Sequence, residues 1–219
     1  QRQINEGCLK EDHPPANQPS QQQLARQIIW LKAKYPGIPV RLAKRDINGA
    51  FRLLWVDPED AELFATDVPF DAEAMDEAGR IARAKKGVEE GPVPPSGGRP
   101  AEWKGSITMI FLVLSFGWRG SPGEWMVFAW AALLHHSNFH PEKRWRDGPE
   151  GFQAWALMDD TIFVEPQLGA REALSAHAFE VGVKGMMGEE AINEERKIEE
   201  GEYSTSCKAW GIVLNTEEE

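Results

Sequence analysis

Two adjacent carboxylates, Asp159 and Asp160, stand between two short apolar runs of the sequence. The runs 152–157 and 161–164 predict a β-hairpin with the acidic pair between its strands. Charged side chains beside a sheet are costly unless they are partnered, and a divalent cation removes the repulsion between neighbouring carboxylates. Mg²⁺ prefers oxygen ligands and accepts one or two carboxylates together with substrate phosphates. The pair therefore indicates a Mg²⁺ site, the alternative being a solvated turn at a hairpin tip.

A third carboxylate, Asp46, follows a predicted strand in the segment 44–51, Lys-Arg-Asp-Ile-Asn-Gly-Ala-Phe. Three carboxylates complete the set for a two-metal site, where ions roughly 3.5–4 Å apart clamp the attacking and leaving oxygens of an in-line displacement. Phe51, five residues after Asp46, is expected to pack under a sugar ring. The alternative for Phe51 is an ordinary core aromatic.

A glycine-rich turn, Phe-Gly-Trp-Arg-Gly-Ser-Pro, occupies residues 116–122. Gly117 and Gly120 permit a close approach of the backbone to a flat ligand. Ser121 and Glu124 predict a helix start with a capping box, whose N-terminus adds donors and positive potential. The segment therefore predicts one wall of a ligand pocket, or alternatively an ordinary strand-to-helix turn.

The charge of the chain is unevenly distributed. A net charge of −11 argues against a phosphate-binding surface, because nucleic-acid affinity comes largely from Lys and Arg. Between Arg26 and Arg52, however, seven basic residues face a single acid, Asp46. This stretch predicts either a phosphate-facing surface or a solvated basic face.

Size and composition fit one domain, or one and a half. The chain has 219 residues, of which 42% are hydrophobic, so a sizeable core is expected. Cys8 and Cys207 are too few for a disulfide framework or a zinc site and are expected to be free thiols. The longest apolar run, 107–118, is too short to span a bilayer, so no membrane partner is expected.

The elements that must position these side chains follow from hydrophobic periodicity. Residues 1–22 are expected to be extended or loop. Helices are expected over 23–35, 71–86, 121–135 and 173–181, a helix-like turn over 53–56, and strands over 38–44, 62–68, 106–114, 152–157, 161–164 and 210–214. The order predicts an α+β fold with an antiparallel sheet backed by helices. The helix at 121–135 is apolar on nearly every side and is expected to be buried.

Five segments resemble, in order and rough spacing, the palm motifs of reverse transcriptases. Segment 44–51 resembles the first motif, and 116–122 resembles the motif that shapes the nucleotide and template pocket. Segment 157–160, Leu-Met-Asp-Asp, is similar to the hairpin that ends in two aspartates. Segments 193–197 and 209–212 resemble the lysine-bearing motif and the strand that grips the primer end.

The resemblance implies a role for each matching residue. Asp46 and Asp159 would be the main ligands of two Mg²⁺ ions, with Mn²⁺ possible in their place. Asp160 would assist, and the backbone carbonyl of Ile47 would complete the shell. Phe51 would exclude a ribose 2′-hydroxyl.

The remaining predicted site residues are substrate contacts. Phe116 and Gly117 would shape the nucleotide pocket, and Lys197 would approach the triphosphate. Arg2 would be the remnant of a fingers strand that holds the triphosphate. Phe116 favours a retrotransposon-type enzyme. Leu157 departs from the family pattern, because it replaces the usual aromatic residue before Met-Asp-Asp.

The resemblance also implies a domain organisation: a polymerase palm with partial fingers and no thumb. Residues 1–37 would be the partial fingers, 38–215 the palm with an insertion at about 71–104, and 216–219 an acidic tail. The first residue is Gln1, so the chain is expected to be part of a longer protein that carries thumb and ribonuclease H regions. Its place would be intracellular, in a cytoplasmic particle or the nucleus.

The implied function is RNA-directed DNA polymerisation, in which a dNTP is added to a primer 3′ end on an RNA or DNA template. One alternative is a non-catalytic reverse-transcriptase-like scaffold, which the presence of all three aspartates disfavours. Another is a different palm-type polymerase, such as an RNA-dependent RNA polymerase. Phe51 disfavours this second alternative, because ribonucleotide users need room for the 2′-hydroxyl.

Overall fold

The computed structural model of the chain describes residues 2–71, 104–139 and 151–217, and they form an α+β fold. The described residues divide into two compact units, one of 1–55 with 113–219 and one of 56–112. Nearly all of the expected insertion lies outside the described residues, including most of the helix predicted over 71–86 and the spacer over 91–100.

The first unit carries a three-stranded antiparallel sheet, a two-stranded ribbon and five described helices. The helices are α1 (Arg2–Gly7), α2 (Gln21–Lys34), α3 (Ser121–Asn138), α4 (Arg171–Met187) and α5 (Glu194–Glu200). With the second unit included, the strands are β1 (Val40–Asp46), β2 (Ala65–Asp71), β3 (Lys104–Ile110), β4 (Ala154–Leu157), β5 (Asp160–Pro166), β6 (Ser206–Ala209) and β7 (Ile212–Asn215).

Strand β5 lies at the centre of the main sheet, between β1 and β4. Its side chains alternate between the two faces, as a strand requires. Ile162 and Val164 join a buried cluster with Leu24 and Leu31 of α2. Phe163 contacts Phe179 of α4 edge-to-face on the opposite side. Helices therefore cover both faces of the sheet, which explains why β5 is buried along almost its whole length.

The second unit is built on the antiparallel pair β2–β3, with Ala65 opposite Ile110. A short 3-10 helix, Ala61–Phe64, precedes β2. The strand predicted over 62–68 therefore begins later, and the strand predicted over 106–114 ends at Ile110. In the described part of the chain, no helix is both long and apolar enough to cross a membrane.

Several local predictions are wrong. Residues 1–22, expected to be loop, contain α1, and the turn expected over 53–56 is a 3-10 helix at Ala50–Leu53. The N-cap of α3 is Gly120, which has no side chain to form a cap. The Ser121 hydroxyl, the expected cap, donates instead to Ser115 O at 2.8 Å. The capping box predicted there is absent.

Helix α3 is not buried on every side. Trp125 and Met126 are 1% exposed and face the core, whereas Leu134 is 65% and Val127 43% exposed. The helix is therefore one-sided in burial although its sequence is apolar all round.

A buried polar network fastens β5 to the helices on one face of the sheet. Arg171 Nε donates to Glu165 Oε2 at 2.6 Å, and Ser175 Oγ and the Gln153 amide donate to Oε1 at 3.0 and 2.7 Å. His136 Nε2 of α3 lies 2.9 Å from Ser175 Oγ. The network thus joins three elements through one carboxylate that solvent does not reach.

The titration of Glu165 makes this network sensitive to pH. Burial raises the pKa of Glu165 from 4.5 to about 7, although the positive charge of Arg171 opposes the shift. A pKa raised by folding means that the folded state holds the proton more tightly than the unfolded chain. The stabilisation is therefore fully present below pH 4.5 and is lost as the pH rises through about 7.

Arg171→Met should lower the free energy of unfolding by about 3–5 kcal/mol at pH 8, because it leaves a buried carboxylate without its cation. The loss should be smaller at pH 5, where Glu165 is protonated. Urea unfolding followed by tryptophan fluorescence measures both values. Arg196→Met is the control, since its pair with Glu200 is exposed and worth about 1 kcal/mol or less. Equal losses in the two variants would contradict the role of the pair.

Candidate active site

The pairing of β1 with β5 brings two of the predicted aspartates face to face. Asp46 is the register partner of Asp160 at the end of this antiparallel pair. One step further, the Ile47 amide donates to Asp159 O at 3.1 Å. Directly opposed residues of antiparallel strands have Cβ atoms roughly 4.5–5.5 Å apart. The three predicted carboxylates therefore belong to one end of one sheet.

The turn that carries Asp159 is a tight one with an unusual backbone. Met158 has φ of 55°, in the left-handed region that costs a non-glycine residue of order 1 kcal/mol or more. Trp125 Nε1 of α3 donates to Met158 O at 2.9 Å, and Gln18 Nε2 lies 2.8 Å from the Met158 sulfur. These contacts hold the turn, and Asp159 itself is exposed to solvent at the tip.

The charges of Asp159 and Asp160 affect the pKa of Asp46. Burial raises the pKa of Asp46 above its usual range, and the negative charges of Asp159 and Asp160 raise it further. The side-chain hydrogen bond from Asn193 and the positive charge of Arg196 oppose that rise. Repulsion among carboxylates is relieved by a bound cation, so the donor chemistry of this cluster fits Mg²⁺ or Mn²⁺.

Two of the three carboxylates have polar partners within the protein. Asn193 Nδ2 donates to Asp46 Oδ2 at 2.7 Å, and Lys44 Nζ lies 3.3 Å from Asp160 Oδ1. Across the described residues, no three His, Cys, Asp or Glu side chains form a group that could hold a metal ion as the side chains stand. Each of these partners draws one carboxylate oxygen toward itself.

The predicted aromatic pair is adjacent in space. Phe51 lies in the 3-10 helix that follows Gly49, whose φ is 71°. The Phe51 and Phe116 rings meet edge-to-face with centroids 5.0 Å apart. Phe51 is 6% exposed and Phe116 is 74% exposed, so one ring is fixed in the core and the other faces solvent.

The glycine-rich turn is held by the N-terminal helix. Gly117 adopts φ of 88°, which favours glycine, and Gly117 O accepts from Asn5 Nδ2 at 2.8 Å. Asn5 Oδ1 accepts in turn from the Arg119 amide at 2.7 Å. Arg2, the predicted triphosphate contact, is the first residue of the same helix α1.

Lys197 belongs to a second charged cluster, which it forms with Glu180, Glu194 and Arg45. Its Nζ lies 2.8 Å from Glu180 Oε2 and 3.2 Å from Glu194 Oε2. Glu180 Oε1 also accepts from Arg45 Nε at 2.8 Å. The ammonium group of Lys197 is thus paired with carboxylates, and its approach to a triphosphate stays a prediction.

The excess of positive charge between residues 26 and 52 is partly used inside the protein. Lys44 and Arg45 are 8% and 6% exposed, and both are paired with acidic side chains. Arg41 is paired with Glu172. The basic residues of this stretch that lie on β1 therefore neutralise carboxylates of the same chain. Neither a phosphate-facing surface nor a solvated basic face, the two roles predicted for the stretch, describes these three side chains.

Two neighbours of the aspartates had no predicted role. Asn193 precedes Glu194 and Glu195 and caps α5 through the Arg196 amide, a helix-start pattern that the sequence contains. Lys44 stands two positions before Asp46 in a strand, which puts both side chains on one face. The first pattern identifies Asn193 as a helix cap, and the second places Lys44 on the same face of the strand as Asp46.

Asn193→Ala should cost about 2–3 kcal/mol of unfolding free energy, because it removes a helix cap and a hydrogen bond to a charged group. Ser20→Ala is the matched control, since Ser20 caps α2 without touching an aspartate and should cost about 1 kcal/mol. Thermal or urea unfolding of the two variants gives the difference. A loss no larger than that of Ser20→Ala would show that the contact with Asp46 contributes nothing.

No protein-family model matches this chain, and no curated protein matches it. A function therefore has to be inferred from the geometry of the residues described above.

Proposed function

We propose that the chain is the palm of an RNA-directed DNA polymerase, a reverse transcriptase of a retroelement. The observation that carries the proposal is the pairing of Asp46 with Asp160 at the end of β1 and β5, next to Asp159 in the adjoining turn. Asp46 lies far in sequence from the adjacent pair Asp159 and Asp160, yet it pairs with that hairpin at the same end of the sheet, in the order in which reverse-transcriptase motifs occur. Such an arrangement suits the binding of divalent cations and phosphates better than it suits a solvated turn.

In this proposal Asp46 and Asp159 bind the metal, Asp160 assists, and the Ile47 carbonyl supplies a further oxygen. Two Mg²⁺ ions, when bound, would stabilise the charge that develops on the attacking 3′-oxygen and on the leaving pyrophosphate. The contribution of the protein is to hold these oxygens in place before the substrate arrives. The Asn193 hydrogen bond and the register of β1 against β5 supply that preorganisation.

The proposal also assigns residues that would contact the substrate. Phe51 is buried and contacts Phe116 edge-to-face, so its ring is held in place. In this proposal the ring would exclude a ribose 2′-hydroxyl. Phe116 and Gly117 would form the wall of the nucleotide pocket. Lys197 and Arg2 would contact the triphosphate, with Lys197 first leaving Glu180. The partners are a dNTP and a primed RNA or DNA template.

Asp159→Ala should reduce primer extension on a primed RNA template by roughly 10²- to 10³-fold or more, because a metal ligand is lost. The assay uses Mg²⁺, dNTPs and the longer protein that the resemblance predicts. Asp60→Ala, an exposed acid of the second unit, is the control and should leave the rate unchanged. Undiminished extension by Asp159→Ala would refute the assignment, and no extension by the unaltered protein would favour a scaffold.

Phe51→Val should raise the incorporation of ribonucleotides relative to deoxyribonucleotides by about tenfold or more, since a smaller side chain admits the 2′-hydroxyl. Single-nucleotide extension with matched rNTP and dNTP pairs measures the ratio. Phe64→Val truncates a buried phenylalanine of the second unit and should not change it. An unchanged ratio in Phe51→Val would remove the gate role and reopen the case for an RNA-synthesising palm.

A further inference from the structure

A buried ammonium group lies between an aspartate of the site and a helix. Lys44 Nζ is 3.3 Å from Asp160 Oδ1 and 2.7 Å from Glu200 Oε2. Lys44 is 8% exposed, whereas the side chain of Glu200, the last residue of α5, is 43% exposed. One cation is thus shared between a carboxylate of the site and a carboxylate at the protein surface.

The ammonium group of Lys44 stands beside two carboxylates. Its positive charge offsets part of the repulsion between Asp160 and its register partner Asp46.

A divalent cation at the aspartates would meet this charge directly. Lys44 occupies Asp160 Oδ1, an oxygen that a cation would also need, and its charge repels any second cation nearby. Glu200 acts in the opposite sense, because its shorter contact draws the ammonium toward itself. Since charges at such distances interact strongly even at a dielectric constant of about 20, both effects should change cation affinity by a measurable factor.

We propose that Lys44 is a positioning residue for the cation site, an internal counter-ion that competes for Asp160, and that Glu200 sets the strength of this competition. The proposal rests on the proposed function, because it requires the aspartates to be the cation ligands. Lys44 and Glu200 then tune the affinity for the cation without being ligands themselves.

The test is Mn²⁺ binding to the full chain, measured by isothermal titration calorimetry. Lys44→Met, which keeps the length of the side chain and removes its charge, should tighten binding about fivefold or more. Glu200→Gln should weaken Mn²⁺ binding by about threefold, because Asp160 is then the remaining charged partner of Lys44 and the two interact more strongly. Lys44→Arg keeps the charge and should bind as the wild type does.

Two controls separate a contact effect from a general change of charge. Lys184→Met removes one positive charge from an ion pair with Glu194 and should leave the affinity within about twofold, since exposed charges are screened. In an Asp160→Asn background, Lys44→Met should no longer tighten binding, because the carboxylate through which Lys44 acts is gone.

The failures are distinguishable. A wild-type chain that binds no Mn²⁺ overturns the proposed function and this inference with it. A wild type that binds Mn²⁺, with Lys44→Met unchanged or weaker, overturns the inference alone, and so does equal tightening in Lys184→Met. If Lys44→Met does not fold, the Glu200→Gln variant provides the test, because Glu200 lies at the protein surface. An unchanged Mn²⁺ affinity in Glu200→Gln would overturn the inference.

Discussion

The register of β1 against β5 is the constraint on which the rest of the site depends. Seven residue pairs join the strands, from Val40 opposite Pro166 to Asp46 opposite Asp160. A slip by one residue would turn every side chain of β1 to the other face of the sheet. The slip is prevented by burial on both sides, since Leu42 packs with α2 while Phe163 packs with α4. The apolar core thereby determines where the carboxylates lie.

Several charged side chains lie near the end of the sheet that holds the aspartates. Basic side chains on opposite faces of β1 pair with the carboxylates there. Lys44 and Arg45 are neighbours on β1 and therefore point in opposite directions. Lys44 forms ion pairs with Asp160 and Glu200. Arg45 forms an ion pair with Glu180, which is also paired with Lys197. Helices α4 and α5 thus contribute carboxylates that keep two cations of β1 ordered.

The sequence predicted the elements whose signal is local. Helix α2 has three buried apolar residues at helical spacing, and the hairpin β4–β5 has two apolar runs around a polar tip. Helix α5 escaped prediction because six charged residues and one exposed apolar residue, Ile198, show no apolar periodicity. Likewise, the all-round apolar sequence of α3 does not indicate which side faces solvent. Asn193 can be recognised in the sequence as a helix cap, but its contact with Asp46, 147 residues away, depends on the tertiary fold.

The hydrogen bond from Trp125 to the turn between β4 and β5 has a consequence for how the sequence is free to vary. Trp125 binds the carbonyl oxygen of Met158, which every amino acid possesses, and the left-handed backbone there is held by that bond. The hydrogen bond itself is therefore independent of the side chain at position 158, whereas the left-handed backbone disfavours β-branched residues there. Divergent descendants of this chain could exchange Met158 for glycine, asparagine or another unbranched residue, provided that the indole of α3 is retained.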